Sequence, residues 1–248
     1  MKIDLGHHTI LITGGAGAIA EHILRALRQC GARVIVTDKK PESAARPILA
    51  AWGLADCPYH QLDVTDADVF EAGMAALLSA HPEVSIALGH AGGTTIGNFA
   101  EISRADFEAV VEFNLIGQTR FARAVLAHWC KLDRPGHLIF TSSYVSRIPM
   151  AGIAAYVTSK AGLEMFAKNL ALEYAPHGIR VNVVSPGNVA AGSSQLAYDS
   201  DPVYRAWVYR VSPLGKRNSP ESSANAFVYL CSDLAAEVRH AVGELRPQ

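Results

Sequence analysis

Short apolar runs alternate along the chain with longer stretches whose apolar positions recur at helical spacing. Thr9-Ile10-Leu11-Ile12 flows into Thr13-Gly14-Gly15-Ala16-Gly17-Ala18-Ile19-Ala20, then into a helical stretch from Glu21 to Gln29. Arg33-Val34-Ile35-Val36-Thr37 reads as a second strand ending at Asp38, and Tyr59-His60-Gln61-Leu62 as a third, closed by Asp63-Val64. Val84-Ser85-Ile86-Ala87-Leu88, then 137–141 and 179–184, supply three more. Between them the pattern predicts a weak helix from Pro41 to Trp52, interrupted by Pro47, and a helix from Val69 to Ala80 behind a Thr65-x-x-Asp68 capping box. Ser103-x-x-Asp106 caps a long helix through Trp129, with Asn114 embedded where its amide competes for backbone partners and leaves a local irregularity. The segment from Ala154 to Tyr174 has helical composition, and Ser219-Pro220-Glu221 opens the last helix. Residues 190–218 mix aromatics with Asp and Arg and read as irregular.

Strands and helices taken in turn predict right-handed crossovers and an α/β fold: a doubly wound parallel sheet with helices on both faces. No repeat, low-complexity tract or linker divides the 248 residues, so a single domain over 1–248 is expected. Half the residues are hydrophobic and 18% charged, which suits a sheet covered on both sides. A net charge of −1 supplies no global field for nucleic acid or an anionic membrane. No apolar run approaches the roughly 18 residues of a membrane span. Cys30, Cys57, Cys130 and Cys231 show no Cys-x-x-Cys spacing and read as free thiols of a cytoplasmic protein. The ten His are dispersed, and no metal site is expected.

Two stretches carry chemistry. A strand, a glycine turn and a helix in succession bring backbone N–H groups at a helix N-terminus to a pyrophosphate. Asp38, about 20 positions further on, stands where a carboxylate holds an adenosine ribose through its hydroxyls. The other stretch runs from Ser143 to Lys160. Tyr156 and Lys160, at i and i+4, project from one helix face, and a nearby ammonium favours a phenolate. A lone Tyr-x-x-x-Lys is weak evidence; its company decides what it means.

That company resembles the short-chain dehydrogenase/reductases, in the single-domain branch of about 250 residues. The resemblance runs from Gly6 to Gly243. It rests on Thr13-Gly14 with its turn, Asp38, Asp63-Val64, Ala91-Gly92, Asn114, Ser143, Tyr156 with Lys160, Pro186-Gly187, Pro213-Leu214-Gly215 and Pro220-Glu221, in that order. It implies a Rossmann-type sheet and a nicotinamide cofactor held by Gly14, Ala16, Gly17, Ala18, Ile19, Asp38, Asp63, Val64, His90, Ala91, Gly92, Tyr156, Lys160, Pro186, Gly187 and Val189. It implies Tyr156 as general acid or base, Lys160 as the group that depresses its pKa and bonds the nicotinamide ribose, and Ser143 as the holder of the substrate oxygen. Asn114 would fix a water leading from Lys160 to solvent. Asp38 favours NAD(H), since a carboxylate repels a 2′-phosphate; Lys39 and Lys40 leave NADP(H) as the alternative.

Departures mark where the pattern is unusual. Ala18 and Ala20 stand where family members carry Gly, Gly89-His90 replaces Asn-Asn, and Ala191 replaces a Thr expected at the carboxamide. The terminal Val-Asp-Gly-Gly is absent, so the last strand is expected to be shortened or missing. These departures give a second hypothesis, a nucleotide-binding regulator or scaffold with little catalysis. The retained Asn114, Ser143, Tyr156 and Lys160 favour an enzyme. Residues 190–218 would form a lid, and their aromatic and charged mixture suits a polyhydroxylated, sugar-like substrate, with Arg147 and Trp207 joining Ser143 and Tyr156 around it. A 3-oxoacyl compound or a hydrophobic ketone is the alternative. The family also implies pairing into a homodimer or homotetramer.

Overall fold

The computed structural model describes residues 3–212 and 214–238. Six strands lie parallel in the order β3-β2-β1-β4-β5-β6. They are β1 (Thr9–Thr13), β2 (Arg33–Asp38), β3 (Tyr59–Gln61), β4 (Val84–Gly89), β5 (Gly136–Thr141) and β6 (Ile179–Val184). Helices α1 (Ala18–Gln29), α2 (Glu42–Ala51), α3 (Ala67–Ala80), α4 (Arg104–Val111), α5 (Gly117–Lys131), α6 (Ala154–Glu173), α7 (Gly192–Ser200), α8 (Pro202–Val211) and α9 (Pro220–Cys231) follow along the chain.

β1, β2 and β4 read as largely apolar runs because both sheet faces are buried there. Ile10 and Ile12 point to one side, into a core with Leu24 of α1, Leu49 of α2 and Phe227 of α9. Leu11, between them, points to the other, into a core with Phe70 of α3, Phe121 of α5 and Leu163 of α6. From β1 the chain winds outward through β2 and β3, then returns to place β4 on the far side of β1. The crevice between the carboxyl ends of β1 and β4 is where such sheets bind ligands.

Three local expectations are corrected. Pro47 does not interrupt α2, which runs unbroken around it. Pro47 and Ser43, four residues before it, are both exposed, so the carbonyl that the missing N–H leaves unpaired can be hydrated. The cap of α3 is Asp66, not Thr65: Asp66 accepts from Val69 N, while the Thr65 hydroxyl is drawn to Asp63 Oδ1 at 2.8 Å. Residues 190–218 are largely helical, as α7 and α8. The Ser103 cap holds, and Asn114 sits in a π-turn, Glu112–Ile116, between α4 and α5. The expectation of a shortened or missing last strand falls on residues beyond 238, outside the described residues. Among the described residues, no helix is long and apolar enough to cross a membrane. All four cysteines are unpaired.

Candidate active site

At the crevice, Thr13 ties β1 to β4. Its hydroxyl accepts from the backbone N–H of His90 (3.0 Å) and Ala91 (3.2 Å). The approach is so close that a Cβ on Gly14, where φ is +66°, would lie 2.7 Å from Ala91 Cα. Only glycine allows both the left-handed turn and the contact. α1 then starts at Ala18 behind Gly17, with no side chain capping its first-turn N–H groups. Ala20 is fully buried in the core, so its methyl is accommodated; Ala18 faces out.

Asp38, at the end of β2, is buried, with its carboxylate fixed from two sides. Ala16 N donates to Oδ2 and Lys40 N to Oδ1, both at 3.0 Å. Lys40 Nζ lies 3.7 Å from the same carboxylate and donates to Ala16 O, and Lys39 lies over the Phe113 ring. Gly14, Gly17, Ala18, Ile19, Asp38, Asp63, Val64, His90, Ala91 and Gly92 line one cavity of about 310 Å³. Uncapped helix donors, a fixed carboxylate and a narrow cavity between them fit the pyrophosphate and ribose of a dinucleotide. Ala16 lines neither cavity, and its N–H is committed to Asp38.

A second cavity of about 1040 Å³ shares Ile19, His90, Gly92 and Ser193 with the first. Ser143, Tyr156, Lys160, Pro186, Gly187, Val189, Ala191 and Trp207 all reach it. Lys160 is buried; its ammonium donates to Thr141 O at 2.7 Å and lies 5.7 Å from the centre of the Tyr156 ring. Burial brings the Lys160 pKa down to about 8. The expected depression of Tyr156 is not present: burial pushes the phenol up, and its hydrogen bond with Ser143 only opposes that. The ammonium is turned to a carbonyl, and desolvation of the phenolate dominates. Tyr156 is therefore protonated at neutral pH, the form that can give a proton to an oxygen.

Asn114 is fully buried and lines neither cavity. Its Oδ1 accepts from Gly93 N at 2.9 Å and its Nδ2 donates to Gly93 O at 2.7 Å. This clamp shapes the floor beside Lys160, since a Cβ on Gly92 would meet Asn114 Oδ1 at 2.8 Å and Lys160 Nζ at 3.2 Å. His90 bonds Thr141 Oγ1 through Nδ1 at 2.9 Å. Burial, then the Lys160 charge, lowers its pKa to about 4, so the cavities meet at a neutral imidazole.

Arg147 is not brought to the cavity. Its Nε bonds Glu164 Oε2 at 3.0 Å, and the pairing draws the guanidinium away from the cavity. Polar residues between 188 and 210 are likewise committed to one another. Asn188 Nδ2 donates to Tyr204 Oη, Tyr198 bonds Tyr209, and Arg205 bonds the Tyr198 and Asp199 carbonyls. Arg217, which the sequence did not single out, fastens this segment through Asn188, Val189, Ser194 and Gln195. Glu164 was missed too, although it stands one turn beyond Lys160 on the same helix face.

At the opposite, amino-terminal end of β1, Asp233 comes within 3.6 Å of His7. His7, His8 and Asp233 bring one possible metal-ligating atom each within 4.8 Å of the others. The carboxylate partner for the His pair comes from 225 residues away, out of reach of sequence spacing.

Comparison with known proteins agrees with this geometry. The family model described as Enoyl-(Acyl carrier protein) reductase matches residues 14–242. The chain is 32% identical over 244 residues to a 3beta-hydroxysteroid dehydrogenase 1 of Eggerthella lenta, covering 96% of this chain and 92% of that one. It is 32% identical over 228 residues to the 3-oxoacyl-[acyl-carrier-protein] reductase of Escherichia coli, covering 92% and 91%. The structure of a short-chain oxidoreductase from Burkholderia thailandensis superposes with a TM-score of 0.83 at 30% identity, covering 94% of this chain and 88% of that one. With its parallel sheet, its glycine turn and its Ser143, Tyr156 and Lys160 around one cavity, the chain belongs to the short-chain dehydrogenase/reductases, oxidoreductases acting on hydroxyl and carbonyl groups.

Proposed function

We propose that the protein interconverts a secondary alcohol and a ketone on a compact apolar compound, using NAD(H). The observation that carries this reading is the apolar part of the lining of the cavity that holds Ser143 and Tyr156. Ile96, Val145, Met150, Ile153, Val203 and Trp207 form it, an apolar surface suited to a ring-shaped hydrocarbon body. The sugar-like expectation rested on polar lid residues, and many of those are spent holding the lid together. Thr94, Tyr144, Asn188, Asp201, Tyr204 and Arg210 also line the cavity and are what favours a polar substrate. The name of the Eggerthella lenta relative, a hydroxysteroid dehydrogenase, lends support to the apolar reading.

The roles follow from the atoms. A bound nicotinamide supplies the hydride acceptor or donor. Ser143 Oγ holds the substrate oxygen by a hydrogen bond, and Tyr156 Oη delivers a proton to that oxygen in reduction or removes it in oxidation. Lys160, beside the phenol, supplies a positive charge and a donor for the ribose. Asn114 keeps the Gly92-Gly93 floor in place. The test is turnover of NADH with 3-ketosteroids and cyclic ketones against open-chain sugars and a 3-oxoacyl thioester, and NAD reduction by the matching alcohols. Turnover should favour the cyclic apolar compounds by at least about tenfold. A preference for the sugars or the thioester would overturn the substrate assignment, and no turnover with any compound would favour the scaffold reading.

Cofactor choice gives a second expected outcome. Lys40 is committed to Asp38 and Ala16, so the carboxylate dominates where a 2′-phosphate would sit. Two like charges about 4 Å apart repel by ~4 kcal/mol at an effective dielectric near 20. Asp38→Asn keeps one acceptor oxygen and removes the charge. It should raise kcat/KM for NADP(H) relative to NAD(H) by at least about tenfold, measured with both cofactors on one substrate.

A further inference from the structure

Beyond the residues at the reacting atoms, one buried carboxylate connects the two loops that border them. Glu164 lies on α6 one turn past Lys160 and two past Tyr156, and it is 5% exposed. Its Oε1 accepts from Ser146 Oγ and Ser185 Oγ, both at 2.6 Å, and its Oε2 accepts from Arg147 Nε at 3.0 Å. Ser146 and Arg147 belong to the loop that leaves β5 and carries Ser143. Ser185 leaves β6 immediately before Pro186 and Gly187.

The two loops meet in backbone pairing just past the strand ends, where Ser142 N donates to Val184 O (2.8 Å) and Tyr144 N to Pro186 O (3.0 Å). Those two bonds flank Ser143. Ser143 Oγ has its hydrogen bond with Tyr156 and, from its own loop, a long one from Val145 N at 3.5 Å, so its position depends on how that loop is set against α6. Charge-assisted bonds to a buried carboxylate are the strongest fixings available there. Burial alone would raise the Glu164 pKa, yet the bonds from Ser146, Ser185 and Arg147 outweigh it and leave the pKa lowered, so the group is ionised at neutral pH.

We infer that Glu164 is a positioning residue: it clamps the Ser143 loop to the neighbouring Pro186-Gly187 loop and so sets where the group holding the substrate oxygen stands relative to Tyr156 on the same helix as the carboxylate. This rests on the reading of Ser143 given above. Arg147 thereby has its role, as one arm of the clamp and not as a substrate anchor.

Amide hydrogen exchange on the full chain, without substrate or cofactor, tests the clamp independently of any activity. Glu164→Gln should speed exchange about tenfold in both 142–149 and 183–190, while 157–170 of α6 stays within about twofold. Arg147→Ala, an exposed truncation, should loosen only 142–149, and Ser185→Ala chiefly 183–190. With a substrate from the panel, Glu164→Gln should lower kcat about tenfold and change the Kd for NADH less than about threefold. Unchanged exchange in either loop of Glu164→Gln, or faster exchange spread evenly through β1 and β4, would overturn the clamp. Loosened loops with an unaltered kcat would retain the clamp but remove its link to Ser143. A wild-type protein that turns over nothing would overturn the functional reading and leave the exchange result standing.

Discussion

Tyr156→Phe is expected to lower kcat by a factor of roughly 10²–10⁴ in either direction, the range that a positioned acid or base contributes. The substitution removes one oxygen from a ring that already fits its site. Folding stability should therefore change by no more than ~1 kcal/mol, about one net hydrogen bond, here the one shared with Ser143. The Kd for NADH should stay within about threefold, because α1, Asp38 and Lys160 are untouched. The same geometry sets the pH dependence. With its pKa raised by burial, Tyr156 keeps its proton through the neutral range, so reduction should hold its rate there and fall only as the phenol ionises. Oxidation, which needs the phenolate, should climb with pH over the same span. Both limbs should vanish in the Phe variant. Initial rates across pH for the two proteins, with NADH titrated by fluorescence, decide it. A Phe variant within tenfold of wild type would remove Tyr156 from the proton path.

Much of this was legible in the chain, for identifiable reasons. β1, β2 and β4 are largely apolar runs because helices cover both faces, and Thr13 and Asp38 fall at strand ends, with Gly92 just past β4, where the parallel order gathers them. Ser143, Tyr156 and Lys160 converge because one strand end and one helix face fix all three. The helices within residues 190–218 were not legible. α7 buries no residue and α8 only Val208, so neither has an apolar stripe for periodicity to detect. Arg147 was misassigned because a guanidinium near a catalytic loop can reach either substrate or protein. Its partner, Glu164, lies 17 residues on, and no spacing in the sequence links the two. The pKa of Tyr156 went the other way from expectation because spacing reveals a neighbouring charge but not the desolvation that outweighs it.

Lys160→Met is the second large effect, and it should separate what the lysine costs from what it does. The folded-state pKa is about 8 against 10.5 for the free side chain, a consequence of burial. At pH 7 the group is still mostly charged, so the folded chain carries a desolvated ammonium. The lowered pKa has a definite sign. Between pH 8 and 10.5 the unfolded state holds more of this proton than the folded one, so stability rises with pH across that window, by up to ~3 kcal/mol for a shift of this size. Cys231, pushed up to about 12 by burial, works in the opposite sense above pH 9. The difference between wild type and variant is therefore the quantity to measure, by denaturant unfolding at pH 7.5 and 9.5. Met fills the volume without a charge but leaves Thr141 O without its donor, so the two should have similar stability at pH 7.5, and wild type should gain on the variant at pH 9.5. Catalysis should pay no such compliment to Met: kcat should drop roughly 10²–10³-fold, and the Kd for NADH should rise at least about tenfold with the loss of a charged donor. A variant with wild-type pH dependence of stability would show that the lysine is not desolvated, and one that keeps its kcat would show that the ammonium beside Tyr156 takes no part in the proton transfer.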